Sequence, residues 1–290
     1  MDIRAITMGL AFALMWSSAF TSARIIVADA PPLAALSVRF FIAGVIAVGL
    51  ARALGQSWRL TPQQWRLTIL FGLCQNALYL GLNFVAMQTV EASLAAIVAS
   101  SLPLWVALAG WLIWGERVQP LGFAGLVGGF AGVALIMGSR LSAGVDPFGV
   151  ALCGIGVLAL TFATLALRGA SSGGNVLMIV GLQMLVGAVA LLVPALALET
   201  WEVTPSWTLA LAFWYTVLVP GLAATLVWFL LVRRIGAVRA ATFHFLNPFF
   251  GVAIAALLLG EALGPVDIIG VIIVTLGILA VQLSRVPDGR

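Results

Sequence analysis

Trp114-Gly115-Glu116-Arg117-Val118-Gln119-Pro120 returns 145 positions later as Leu259-Gly260-Glu261-Ala262-Leu263-Gly264-Pro265, each copy closing one long apolar run and opening the next. The correspondence extends without a gap in both directions. Ala92, Ala95, Ala96 and Pro103 fall on Ala237, Ala240, Ala241 and Pro248, and Gly125, Gly132, Ser139 and Arg140 on Gly270, Gly277, Ser284 and Arg285. Nearer the start, Arg24 and Arg168 end matching runs at an offset of 144. The chain is read as two homologous halves, 1–142 and 143–290.

Outward from that seam lie ten apolar stretches: 5–27, 33–54, 67–86, 92–114, 121–137, 148–167, 176–198, 207–232, 240–259 and 266–283. Most approach the roughly 20 apolar residues that cross a bilayer core. With 63% of residues hydrophobic and 8% charged, a soluble fold would leave too much apolar surface wet. An all-α membrane protein of ten transmembrane helices follows. Each half holds five spans, and because five is odd the second half enters the bilayer from the opposite side: two inverted five-helix repeats around a central cavity. Oppositely oriented copies can exchange conformations, which converts one access state into its mirror, so a transporter is the leading reading. A static scaffold or a channel is the alternative that duplication also allows.

All fourteen basic residues are arginines, and eleven of them fall on one side if the N-terminus is cytoplasmic. Arg24 and Arg140 fall opposite, and Arg39 sits early within the second span. The positive-inside bias then puts both termini in the cytoplasm. Arginines scattered over separate loops follow no nucleic-acid strand, so nucleic acid is not an expected partner; the lipid bilayer is. The longest connection, roughly Arg52 to Arg66, leaves no room for a soluble catalytic domain. Cys74 and Cys153 lie within spans as small hydrophobes, too few for a disulfide framework or a metal site. The N-terminal run is longer than a signal-peptide core, and Pro31 disfavours cleavage after Ala30.

Helix starts are marked. Thr61-Pro62-Gln63-Gln64 reads as a capping box with proline at the first helical position. Asp146-Pro147 and Thr204-Pro205 are expected to open the sixth and eighth spans in the same way. In the fifth span Gly125, Gly128, Gly129 and Gly132 would let a neighbouring backbone approach closely.

Polar side chains facing hydrocarbon are costly, so those inside spans normally turn into the bundle. They concentrate on equivalent members of the two halves: Ser17, Ser18, Thr21 and Ser22 in the first span and Thr161 and Thr164 in the sixth; Gln75, Asn76, Tyr79 and Asn83 in the third and Tyr215, Thr216 and Thr225 in the eighth; Ser93, Ser100 and Ser101 in the fourth and Thr242, His244 and Asn247 in the ninth. These six spans are expected to line the path. Any single Ser or Thr has the alternative of bonding its own helix. Pro103 and Pro248 each remove a backbone donor deep within a span, so a kink is expected at both, as a fixed bend or as a hinge or gate.

His244, the one histidine, cannot assemble a metal site alone. It is either a neutral wall residue or a substrate ligand or proton carrier. Asp29, Glu91, Asp146, Glu199, Glu202 and Glu261 lie at span boundaries, and the expected lack of a deep carboxylate argues against a cationic drug and for uncoupled downhill transport. Trp58, Trp65, Trp201 and Trp207 read as interface anchors; Trp16, Trp105 and Trp228 lie deeper, and Trp16 adjoins the Ser17-Ser18 polar face. Gly154-Ile155-Gly156-Val157-Leu158-Ala159 matches a dinucleotide fingerprint but sits inside a span without the strand that motif needs. No motif supports enzyme activity, and no cofactor is expected.

At Met15-Trp16-Ser17-Ser18-Ala19-Phe20, and at Trp114-Gly115-Glu116-Arg117 followed by Gly122, Gly125 and Gly132, the chain resembles the EamA branch of the drug/metabolite transporter superfamily. The second half repeats Pro248, Gly260-Glu261, Pro265, Gly270 and Gly277, and the resemblance covers nearly the whole chain. Within the branch it is similar to YddG-type exporters of aromatic and other amino acids, although Ser17 stands where the family commonly has glycine. The resemblance implies alternating access and export of small metabolites across a bacterial inner membrane. The expected substrate is an amino acid, with another metabolite or a neutral drug as the alternative. The residues expected to bind it are Trp16, Ser17, Tyr79, Asn83, Ser101, Thr161, Trp228, Phe243, His244 and Asn247.

Overall fold

The computed structural model describes residues 3–115, 118–166, 173–235 and 240–284. Among these it is all-helical, with ten helices long and apolar enough to span a membrane: α1 (Ile3–Asp29), α2 (Pro32–Ala53), α3 (Pro62–Ala86), α4 (Ala92–Ile113), α5 (Pro120–Ser142), α6 (Pro147–Ala166), α7 (Val176–Leu198), α8 (Trp207–Val232), α9 (Thr242–Leu259) and α10 (Pro265–Ser284). Large apolar side chains such as Leu257, Ile268, Ile272 and Leu276 are exposed on α9 and α10, a surface that only lipid accommodates without penalty.

The capping box at Thr61 and Gln64 forms as expected, and Asp146 caps α6 by accepting from the amides of Phe148 and Gly149. The eighth span starts differently. Ser206, not Thr204, is the cap: its hydroxyl accepts from the amide of Leu209 at 3.0 Å, while the Thr204 amide donates to the carbonyl of Asp29. Pro205 therefore belongs to the preceding extended segment and the helix begins two residues later than its dipeptide suggested.

The helices group into two compact units that cut across the sequence halves. The first comprises Met1–Thr21, Thr89–Val150 and Ala223–Arg290; the second comprises Ser22–Gln88 and Ala151–Leu222. Within each, equivalent helices of the two halves pack antiparallel. In the first unit, Gly125 of α5 lies so close to α10 that a Cβ there would meet the Gly277 carbonyl at 2.7 Å, and a Cβ on Gly277 would meet the Gly129 backbone at 2.6 Å. Gly122 faces Ser284 at one end and Gly132 faces Val274 towards the other, so the two helices run oppositely. Gly128 meets nothing and takes no part in the seam. The pair α4 and α9 repeats the geometry, with Ala96 against Gly251 and the Glu261 carboxylate accepting from the amides of Ala92 and Ser93 at 2.8 and 2.9 Å. In that role Glu261 satisfies two of the donors that every helix start leaves free.

The second unit uses the same device. Gly44 of α2 and Gly181 of α7 touch backbone to backbone, Ser37 donates to the Ala188 carbonyl, and Glu199 accepts from the amides of Leu33 and Ala34. Helices that pair antiparallel with their own counterparts have entered the bilayer from opposite sides, the physical content of an inverted repeat. Gly115 and Gly260, the glycines of the quoted repeat, close α4 and α9 at φ of 63° and 67°, the left-handed turn that a side chain disfavours. Glu116 and Arg117, which follow the first of them, lie outside the described residues.

Candidate functional site

Pro103 and Pro248 both stand at interruptions of their helices. In α4 a break at Ser101 separates Ala92–Ser100 from Leu102–Trp114, with Pro103 in the first turn of the second piece. In α9 a 3-10 turn, Thr242–Leu246, precedes Asn247–Leu259, again with Pro248 in the first turn. Each break makes its proline a first-turn residue, where the missing N–H leaves no intrahelical bond unmade. A second pair of irregularities went unforeseen. α3 is π-helical over Gly72–Tyr79 and α8 over Val217–Ala223, segments that begin 145 residues apart. Such segments loosen the backbone ladder and recur at functional sites.

In the first unit the 3-10 turn of α9 presents His244 to α1 and α8, and the helix that follows it begins at Asn247. The imidazole is edge-on to Phe12 at 5.3 Å and to Trp16 at 6.5 Å, and tilted against Trp228 at 5.2 Å. Phe12 completes the ring cluster against Trp228 at 4.7 Å. The Asn247 amide nitrogen lies 3.0 Å from His244 Nδ1. With that amide donating, Nδ1 accepts and the ring carries its proton on Nε2, a neutral imidazole that can donate. Ser17 donates to the backbone carbonyl of Asn247, tying α1 to the turn. The side-chain carbonyl of Asn247 is buried without a partner. Phe243 turns elsewhere, packing with Ala5, Leu231 and Ala240 and filling the space above Gly9, so it supports the turn from behind. Ser101 is also in this unit, but its hydroxyl donates to Val98, leaving only lone pairs to offer.

The second unit holds Tyr79, Asn83 and Thr161. Asn83 donates to the Tyr79 carbonyl at 2.7 Å, and its own side-chain carbonyl is buried and unpartnered. Gly156, from the false dinucleotide match, is the close-approach point for this pair: a Cβ there would lie 2.9 Å from the Asn83 amide nitrogen. Thr161 donates back to Val157, as its neighbour Thr164 does to Leu160. Asn76 donates to the Gln183 carbonyl and so joins α3 to α7. A cavity of about 430 Å³ in this unit is walled by Trp201, Phe213, Trp214 and mainly aliphatic residues, and the one hydroxyl in its lining, that of Ser206, already donates to Asp29.

Two charged residues, Asp267 and Arg39, are buried within span helices. Asp267, which the sequence does not mark as a boundary carboxylate, is buried in the first turn of α10, where it accepts from Arg140 Nε at 3.0 Å and from the Gly264 amide. Arg140 also meets Glu91, the residue that precedes α4, at 2.7 Å, so one guanidinium on α5 staples the starts of α4 and α10. Arg39 is 6% exposed, and its Nε has no partner. Both ion pairs among the described residues belong to Arg140. The Phe40 ring, 5.0 Å from the Arg39 guanidinium carbon, returns about 0.5–2 kcal/mol, against about 2.5–3.5 kcal/mol for placing an arginine at mid-membrane depth.

Ten spans in two antiparallel-paired copies, with polar and aromatic side chains clustered inside the bilayer depth, define a polytopic membrane transporter. The chain belongs to the EamA-like transporter family, whose profile matches residues 3–138 and again 147–283. Its relatives include the uncharacterized inner membrane transporter YedA of Escherichia coli strain K12, 28% identical over 96% of this chain and 90% of that protein. The uncharacterized transporter YvbV of Bacillus subtilis is 26% identical over 93% of this chain and 88% of its own, and protein PecM of Dickeya dadantii is 24% identical over 91% and 86%. A solved crystal structure aligns over 98% of each chain with a TM-score of 0.72 at 20% identity, a likeness of fold alone.

Proposed function

We propose that the protein exports amino acids, aromatic and other mainly neutral ones, across a bacterial inner membrane by alternating access, downhill and without a coupled ion. The observation that carries this reading is the buried, unpartnered carbonyl of Asn247 beside the rings of Phe12, Trp16, Trp228 and His244. An orphaned acceptor calls for a donor such as an ammonium group, and a ring-lined wall suits an apolar side chain. In the same unit Ser101 can still accept; the second unit has an orphaned acceptor of its own in Asn83, bonded to the Tyr79 carbonyl, and Thr161 there can still accept. Pro103 and Pro248, at matched helix breaks, are the hinges of this reading.

Proteoliposomes loaded with unlabelled amino acids and challenged with labelled ones test it. Saturable uptake stimulated by counter-flow is expected, reduced at least about tenfold by Asn247→Leu, since a hydrogen bond to a charged group contributes roughly 1.5–3 kcal/mol. Flux that never saturates would mark a channel, and silence towards amino acids but not towards another metabolite would move the substrate class. Accumulation driven by a proton gradient would overturn the uncoupled mechanism.

A further inference from the structure

We propose that Arg39 is the anchor for a substrate carboxylate. Its guanidinium does not snorkel to the headgroups. Nη2 lies 3.8 Å from where a Cβ would stand on Gly221, and Gly221 is the fifteenth residue of the 26-residue α8, so the charge sits at mid-span depth. There it is almost wholly buried, its Nε is unpartnered, and no carboxylate among the described residues pairs with it. The Phe40 ring offsets part of the burial penalty and leaves the rest. A structural cation would be expected where the helix needs one, yet α7, the counterpart of α2 in the second copy, carries no charged residue at all. Packing of this kind therefore does not demand the charge, and the missing anion comes with the ligand.

The neighbouring helix is suited to admit it. Gly221 lies within the π-helical segment of α8, so no side chain stands between that backbone and the guanidinium. A planar fork of N–H donors matches the two oxygens of a carboxylate better than a spherical ion. This inference rests on the amino-acid reading only for the identity of the molecule that bears the carboxylate.

Thermal unfolding of the purified protein in detergent, with each of the twenty amino acids, their amides, phenylacetate and sodium chloride as separate additions, tests the anchor. At least one acid should raise the melting temperature where its amide does not, and Arg39→Gln should weaken that response at least about tenfold. Ligand-free Arg39→Gln should melt no lower than the wild type, because an orphaned charge is removed; a structural arginine would give the opposite shift. Arg39→Lys, which keeps the charge and loses the fork, should fall between. Equal stabilisation by acid and amide, equal stabilisation by chloride, an undiminished response in Arg39→Gln, or no response to any acid would each overturn the proposal. The two readings separate cleanly. Amino-acid flux unchanged in Arg39→Gln sinks the anchor alone, whereas stabilisation by phenylacetate through Arg39 without flux of any amino acid sinks the export reading alone.

Discussion

Asp146 stands at the aqueous edge of α6, where the Thr89 hydroxyl and the amides of Phe148 and Gly149 all donate to its carboxylate. The Thr89 bond first, then the Phe148 amide, hold this carboxyl below the ordinary aspartate value, because both favour the charged form. A depressed acid contributes stability that is complete above its unfolded value and disappears as pH falls through the folded one. Asp146→Asn keeps the shape and loses the titration. Its melting temperature should lie below that of the wild type at neutral pH, and the two curves should converge on acidification from roughly pH 5 to pH 3; parallel curves would show that the carboxylate is not titrating in the folded state. Single residues also show the limits of the sequence. Asn83 and Asn247 announce themselves because an amide inside an apolar run has no cheap alternative to the interior. Arg39 does not, since a charge eight residues into a span reads as one whose flexible stem carries it to the headgroups, and only the position of Gly221 on another helix fixes its depth. Phe12 is one phenylalanine among sixteen, and nothing local marks the one that meets an imidazole.

At the scale of helices the glycine rows are the decisive feature, since small residues let membrane helices gain contact where hydrophobicity offers no net drive. Gly277 has the backbone of Gly129 where its side chain would be, and backbone cannot yield as a flexible side chain can. Gly277→Ala should therefore cost about 1–3 kcal/mol, the usual penalty of overpacking, read as a drop in thermal stability of several degrees. Gly128→Ala, on the same stretch of α5 but facing open space, should change it by less than about 0.5 kcal/mol. If both variants lose equally, α5 and α10 do not meet along this seam. The spacing of the α5 glycines was legible as a packing surface, while the partner was not: which of four adjacent glycines faces a neighbour depends on the rotation of the helix. The π-helical segments were illegible for a related reason. Gly72–Tyr79 and Val217–Ala223 share only Gly, Leu and Ala, residues common throughout the chain, and their matched positions in the two copies reveal them as one feature.

For the whole molecule, the repeat predicts orientation as well as architecture. Ten spans alternate direction, so residues 54–61, between α2 and α3, and residues 199–206, between α7 and α8, lie on opposite faces of the bilayer. The first connection carries Arg59, with Arg52 just before it in the last turn of α2; the second carries Glu199 and Glu202. Arginine is retained on the cytoplasmic side during insertion while acidic residues weigh little, so the first loop is assigned to the cytoplasm and the second to the outside. Arg59 and Glu202 are both exposed, and both native cysteines are buried, so a single introduced thiol can report each face. In intact cells a membrane-impermeant maleimide should label Glu202→Cys and spare Arg59→Cys, and lysis should make both reactive. Labelling of Arg59→Cys alone in intact cells would invert the protein and, with it, the direction assigned to export. Labelling of both would mean that the two loops share a face. The count of spans between them would then be even, and the antiparallel pairing of α2 with α7 could not be that of helices crossing the same membrane in opposite senses.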